Sequence, residues 1–159
     1  MKDLELQKAI DARFEYNARF PERMNQQLGL KLLDCSREEL FVDFAFDNDR
    51  EVWLNPYGGV HGGVICTLFD TCMGYGAAAL SNGFVSTTDL SVSYLARMSG
   101  DAFNMHIDYN HIGKRLLNAT CRFTVPETGK VCAVAQGTFY ILGDLGRDFD
   151  SDLFFEENE

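Results

Sequence analysis

The stretch NPYGGVHGGVICTLFDTCMGYGAAAL, residues Asn55 to Leu80, decides how the whole chain is read. Its first part is loop, because Pro56 and the Gly58-Gly59 pair break regular structure. From about Gly62 to Leu80 it reads as helix, with Val64, Ile65, Leu68, Phe69, Cys72, Met73, Tyr75, Ala77, Ala78 and Leu80 around most of the circumference. A helix that is apolar on every side is a buried one. Gly62, Gly63, Gly74 and Gly76 lower its propensity but let neighbouring backbone approach closely. Ser81, Asn82 and Gly83 end it.

One carboxylate, Asp70, stands in the middle of this helix. A buried acid is costly unless it is paired, hydrogen-bonded or protonated. Two readings are open. The carboxylate reaches a water-filled gap or caps a backbone group, or it works as a general base or nucleophile. The loop end offers a complement. Around Gly58, Gly59, His61, Gly62 and Gly63, free N–H groups and the helix dipole favour negative charge. A carbonyl placed there would be polarised, and its oxyanion stabilised.

Outward from this stretch the chain reads mostly as strand. Before it, Leu30 to Cys35 and Leu40 to Phe46 form two strands, with Leu40, Val42, Phe44 and Phe46 alternating onto one face. After it come Phe84 to Arg97, Ala102 to Ile112, Leu116 to Val125 and Val131 to Leu142. Their turn spacing predicts consecutive antiparallel neighbours. At the start, Leu4 to about Gln27 reads as helix, with Asp3 as N-cap and Gly29 as stop. Its apolar stripe is Leu4, Ala9, Ile10, Phe14, Ala18 and Phe20, and Phe20-Pro21 breaks or kinks it. This segment is expected to pack across one end of the sheet.

The bulk composition bounds the rest. One domain is the default for 159 residues, and 46% hydrophobic residues with 13 Phe can build a core. Of the net charge of −10, residues 144–159 carry −6 through seven acids and one arginine. That balance argues against nucleic-acid binding. Five cysteines, Cys35, Cys66, Cys72, Cys121 and Cys132, have no C-x-x-C spacing and fit buried, reduced thiols. His61, His106 and His111 are too scattered for a metal site; His106 and His111, five apart on one strand, are expected on opposite faces. No signal peptide and no apolar run of spanning length are expected, so the chain reads as cytoplasmic and not membrane-bound.

The loop lacks the nucleotide signatures G-x-x-x-x-G-K-[ST] and G-x-G-x-x-G, and no G-x-S-x-G elbow is present. Instead, N-P-x-G-x-x-H-G-G, with Asp70 seven residues after Gly63, resembles the PaaI-like acyl-CoA thioesterases of the hotdog superfamily. The strand from Ser86 to Arg97 is similar to that family's T-x-D-L-x-V-x-Y-L-R pattern with Ala96 inserted. Gly113-Lys114-Arg115 and Ala135 to Phe139 are similar too.

The resemblance implies an α+β hotdog fold, an antiparallel sheet wrapped around a long central helix, here with an extra N-terminal helix. The expected boundaries are 1–28 for that extension, 29–143 for the hotdog domain and 144–159 for the acidic tail, whose aromatics fray or dock locally. It also implies roles. Asp70 is the catalytic base or nucleophile, Asn55 orients water or thioester, and the Gly62 amide polarises the carbonyl. His61 orients the loop or contacts the sulfur, and Thr87 helps place the water. Gly63, Arg97, Lys114 and Arg115 are candidates for substrate and CoA contacts, or solvated charges at turns in the case of the three basic residues.

In such enzymes the Asp comes from one protomer and the Asn and Gly from the other. A homodimer with sites across its interface is therefore expected, with further pairing into tetramers, acyl-CoA as substrate and no cofactor. Gly62 and Asp70 lie about 12 Å apart along a helix, too far for one copy to close around one carbonyl. Phe69, Met73, Tyr75, Phe84 and Tyr94 are candidates to line the acyl pocket. Two alternatives stand beside hydrolysis. An enoyl-thioester hydratase uses H-x-x-x-x-P-G or N-P-x-H strings, which this chain lacks. A non-catalytic acyl-CoA sensor would gain little from a buried acid.

Overall fold

The alternation of apolar and polar residues along the strands, and the lack of it in the central helix, dictate a sheet covered on one face by that helix. The computed structural model describes residues 3–144. Its elements are α1 (Leu4–Ala18), α2 (Met24–Gln27), β1 (Lys31–Ser36), β2 (Phe41–Asp47), α3 (Gly62–Ser81), β3 (Gly83–Tyr94), β4 (Ala102–Ile112), β5 (Leu116–Thr124) and β6 (Val131–Asp144). The remainder of the acidic tail lies outside the described residues, and with it the expectation that its aromatics fray or dock.

All strand pairs are antiparallel, in the order β1-β2-β4-β5-β6-β3. This corrects the expectation of consecutive neighbours after α3. β3 pairs with β6 at the sheet's edge, and β4 pairs with β2. The connection of residues 95–101 is too long for a tight hairpin. It crosses to the other half of the sheet, pinned to the glycine loop where Met98 O accepts the Val60 N–H at 2.8 Å.

The concave face of the sheet packs on α3. Phe44, Phe46, Phe103, Phe123 and Phe139 point inward and are fully buried, as are Leu68, Phe69 and Met73 of the helix. Phe123 stacks on Phe103 at 4.9 Å and meets Phe69 edge-on at 6.0 Å. Each such side chain contributes about 1.5–3 kcal/mol through burial. By length and composition α3 could cross a membrane, contrary to the sequence expectation, but 67% of its apolar window is buried inside the protein. It is a core helix. Asn82 ends it in the left-handed conformation.

At the N-terminus, Asp3 caps α1 by accepting the Leu6 N–H at 3.0 Å. The buried face of α1 is Leu6, Ile10 and Arg13, whereas Leu4 of the expected stripe is 68% exposed. The helix stops at Ala18, before Pro21, and α1 packs on α3 as well as on β1. Arg13 is buried because its guanidinium finds carbonyls, donating to Ala78 O at 2.9 Å and Ala9 O at 2.7 Å.

Two bulges change which residues share a face. Between Thr87 and Asp89 the β3–β6 register shifts by one, so Thr87 lies opposite inward-facing Phe139 while Leu90 lies opposite inward-facing Gly137. A second shift falls between Tyr109 and His111. It returns His111, opposite Asn118, to the outer face that His106 shares with Arg122. The expected opposite placement of the two histidines is thereby corrected: strand parity fails across a bulge.

Candidate active site

Asp70 faces away from the sheet centre, towards β3, where the bulge has turned Thr87 inward. The Thr87 hydroxyl donates to Asp70 Oδ1 at 2.6 Å. The two residues line one cavity of about 280 Å³, which is also lined by Gly74 and Tyr75 of α3 and by Asn17 of α1. The cost of the half-buried carboxylate is thus met by a hydroxyl and an opening, with one carboxylate oxygen left to act.

The other candidates gather at the N-terminal end of α3. Asn55, Gly62, Gly63 and Arg97 line a separate cavity of about 410 Å³. Asn55 shapes the loop: its Oδ1 accepts the Tyr57 N–H at 2.9 Å and the Gly59 N–H at 3.2 Å. His61 is the helix N-cap, and its Nδ1 accepts the Gly63 N–H at 2.9 Å. That bond fixes the hydrogen on Nε2. It also takes the Gly63 amide, so among the described residues the unused donor of the first turn is the Gly62 N–H. His61 therefore orients the loop, and Gly63 contributes shape to the cavity but not a donor.

Tyr94 was not singled out as part of this end, yet it braces it. Its hydroxyl donates to Gly62 O at 2.8 Å and lies 3.0 Å from Cys66 Sγ. Desolvation, with the neighbouring Cys66 thiol, pushes the Tyr94 phenol up to about 12. It stays a neutral donor at physiological pH.

The basic candidates separate. Arg97 follows the end of β3 and donates to Tyr57 O, holding its guanidinium over the glycine loop. The inserted Ala96 is absorbed as a kink, since Leu95 N–H and Ala96 N–H both donate to Cys132 O, at 2.8 and 3.0 Å. Lys114 and Arg115 stand exposed on the β4–β5 turn and line neither cavity. Of the expected acyl-pocket residues, Tyr75 and Phe84 line the Asp70 cavity, Tyr94 lines the other, and Phe69 and Met73 are core.

The sequence reading missed the contribution of the N-terminal helices. Asn17 and Tyr16 of α1 and Asn25 of α2 face the Asp70 cavity. The only signal was a run of polar and aromatic residues where the expected apolar stripe was weakest.

Residues 57–132 match the model of the thioesterase superfamily. The fold is similar to that of the E. coli PaaI protein from the phenylacetic acid degradation operon, with a TM-score of 0.76, 18% identity, and 90% of this chain and 97% of that one covered. It is similar to a thioesterase from Haemophilus influenzae, with a TM-score of 0.71, 17% identity, and 83% and 91% covered. It is also similar to a Streptococcus mutans protein bound to acetyl-CoA, with a TM-score of 0.65, 23% identity, and 72% and 89% covered. Among curated protein sequences none matches the chain. With its six-stranded antiparallel sheet around α3 the chain has the hotdog fold, and its residues 57–132 match the thioesterase superfamily.

Proposed function

We propose that the protein hydrolyses acyl-CoA thioesters to the free acid and CoA, in a homodimer whose sites each join the Asp70 end of one protomer to the Gly62 end of the other. The observation that carries this is the division of the site into two half-sites on one helix. Asp70 and Thr87 line one cavity, and Asn55, Gly62 and Arg97 line another. A second copy of α3 running antiparallel brings a Gly62 end to each Asp70 end. The acetyl-CoA held by the structurally similar S. mutans protein supports an acyl-CoA ligand.

In the reaction, the thioester carbonyl accepts the Gly62 N–H at the positive end of α3, which stabilises the oxyanion. Asp70 takes a proton from a water that attacks the carbonyl carbon, or attacks it directly to form an anhydride that water then opens. In both routes the C–S bond breaks and the CoA thiolate leaves with the electron pair. Thr87, by holding Oδ1, points the other carboxylate oxygen at the reacting centre. Arg97 beside the glycine loop meets the CoA phosphates.

The exposed edge of the sheet favours pairing. β3 is 12 residues long, carries a single charge in Asp89, and leaves its last residue Tyr94, like Leu95 just beyond it, half exposed or more. A long edge with a single charge is a template for a second strand, here β3 of the partner. Outward-facing Leu116, Tyr140 and Leu142 on the opposite sheet face suit further pairing into a tetramer. The five cysteines form no disulfide among the described residues, which suits a reducing cytoplasm. The test is release of free CoA thiol from a panel of acyl-CoAs. Turnover is expected, and binding across the panel without thiol release would replace hydrolysis by sensing.

A further inference from the structure

The Asp70 cavity is also lined by a buried phenol, Tyr75, and by the Asn17 amide. Asn17 Nδ2 donates to Arg13 O at 2.9 Å and to Tyr75 Oη at 2.6 Å. A backbone carbonyl only accepts, so the amide orientation is fixed and both of its hydrogens are taken. Asn25 of α2 lines the same cavity. With the Asn17 amide donating to it, Tyr75 Oη accepts in that bond and keeps its own hydrogen to give. Burial pushes the phenol up to about 12. The hydrogen therefore stays in place across the physiological range. Tyr75 and Asn17 both line the cavity that begins at Asp70.

We propose that Tyr75 is the specificity-determining residue of the acyl pocket, giving its hydroxyl hydrogen to an oxygen at the far end of the acyl group. The inference rests on the thioesterase reading above, with the reacting carbon at Asp70. Tyr75 lies five residues further along α3, which is about 7.5 Å of rise. That span is roughly six bonds of a staggered acyl chain. The preferred substrate class is thus a short acyl-CoA with a hydroxyl or carbonyl oxygen about six bonds beyond the thioester carbon. Asn17 acts as a positioning residue, because its amide holds the Tyr75 oxygen and turns the hydrogen towards the cavity.

The isosteric pair 6-hydroxyhexanoyl-CoA and heptanoyl-CoA tests this. An apolar pocket favours the heptanoyl chain, since its terminal methyl gains from burial. A pocket with an aimed donor favours the hydroxyl. The expected kcat/KM ratio is about tenfold or more towards 6-hydroxyhexanoyl-CoA. Tyr75→Phe is expected to bring that ratio to unity or below, and Asn17→Ala to lower it about threefold. The same pair is compared by Kd on the Asp70→Asn protein. If no acyl-CoA is hydrolysed but the Kd ratio favours the hydroxyl and falls in Tyr75→Phe/Asp70→Asn, the thioesterase reading fails and the pocket assignment stands. If the heptanoyl compound is preferred by both readouts, or Tyr75→Phe leaves both ratios unchanged, the assignment is overturned.

Discussion

Thr87 and Asp70 are 17 residues apart in sequence, and the hydroxyl of the first donates to the carboxylate of the second at 2.6 Å. The bond exists because a β-bulge after Thr87 turns this side chain to the helix. Thr87→Val keeps the shape and removes the donor. It is expected to lower kcat/KM for acyl-CoA hydrolysis by about 10–100-fold, while Thr87→Ser retains most of the rate. Thr87 is exposed, so urea titration should place both variants within about 0.5 kcal/mol of wild type. Equal rates for Val and Thr would show that the hydroxyl does not orient Asp70.

Gly62→Pro isolates the proposed oxyanion donor. Proline is tolerated at the first position of a helix, and His61 before it is extended, with φ −63° and ψ 136°. The substitution deletes the N–H and adds a Cβ that meets the Tyr94 hydroxyl at 3.3 Å, so Gly62→Ala, which adds the same Cβ and keeps the N–H, is the control. A fall in kcat of about 100-fold or more is expected from steady-state kinetics, with the far-UV spectrum unchanged.

Mixing two inactive variants tests whether a site spans two protomers. Asp70→Asn and Gly62→Pro proteins, unfolded together and refolded, form mixed dimers. In each mixed dimer one site carries both defects and the other carries none. About a quarter of wild-type activity is expected to return if protomers pair at random. No recovery would place Asp70 and Gly62 of one site in the same chain.

The interior of α3 provides a stability contrast. A Cβ on Gly76 would lie 1.8 Å from the Tyr109 hydroxyl, which is itself held by donation to Met73 O at 3.0 Å. Tyr109 is 2% exposed and has nowhere to move. Gly76→Ala is expected to destabilise by about 3 kcal/mol, reversing the usual gain of alanine in a helix. A Cβ on Gly74 meets only Phe139, at 3.8 Å. Gly74→Ala is expected to stabilise by about 0.5–1 kcal/mol in the same denaturation experiment.

Acid sensitivity is expected at Asp3. The Leu6 N–H, and then the Arg37 N–H, hold its carboxyl below the usual range, each donating at 3.0 Å. A carboxyl with a lowered folded-state pKa stabilises the fold above its unfolded value near 3.9, and loses that contribution as pH falls through the folded value. Asparagine also caps a helix but does not titrate. The stability gap between wild type and Asp3→Asn should therefore be constant near neutrality and shrink as pH falls below about 4. A gap that does not change with pH would remove the charge from the explanation.

Much of this fold was legible because its signals are local. Asp3, Pro21, Gly29 and Asn82 punctuate helices by their own chemistry, and Val42, Phe44 and Phe46 alternate without interruption. What failed depended on distant parts. The pairing of β3 with β6 rather than β4 is decided by where residues 95–101 can cross, and no local pattern encodes it. His111 was assigned to a face by counting, and the bulge after Tyr109 defeats the count.

The candidate site divides in the same way. Asp70 announced itself as one acid on an apolar helix, and the glycine loop as a helix start. That Gly63 gives its amide to His61 while Gly62 keeps its own is a matter of cap geometry. Asn17 joins the Asp70 cavity only because α1 folds back on α3, and its sequence neighbours give no hint of that contact.

The most direct measurement is CoA thiol release by Asp70→Asn beside wild type, across a panel of acyl-CoAs. Asparagine keeps the size and the contact with Thr87 but cannot take a proton or attack. A loss of about 1,000-fold or more in kcat/KM is expected, with acyl-CoA affinity and thermal midpoint retained. Undiminished thiol release by Asp70→Asn would contradict the assignment of Asp70 as base or nucleophile, and with it the proposed mechanism.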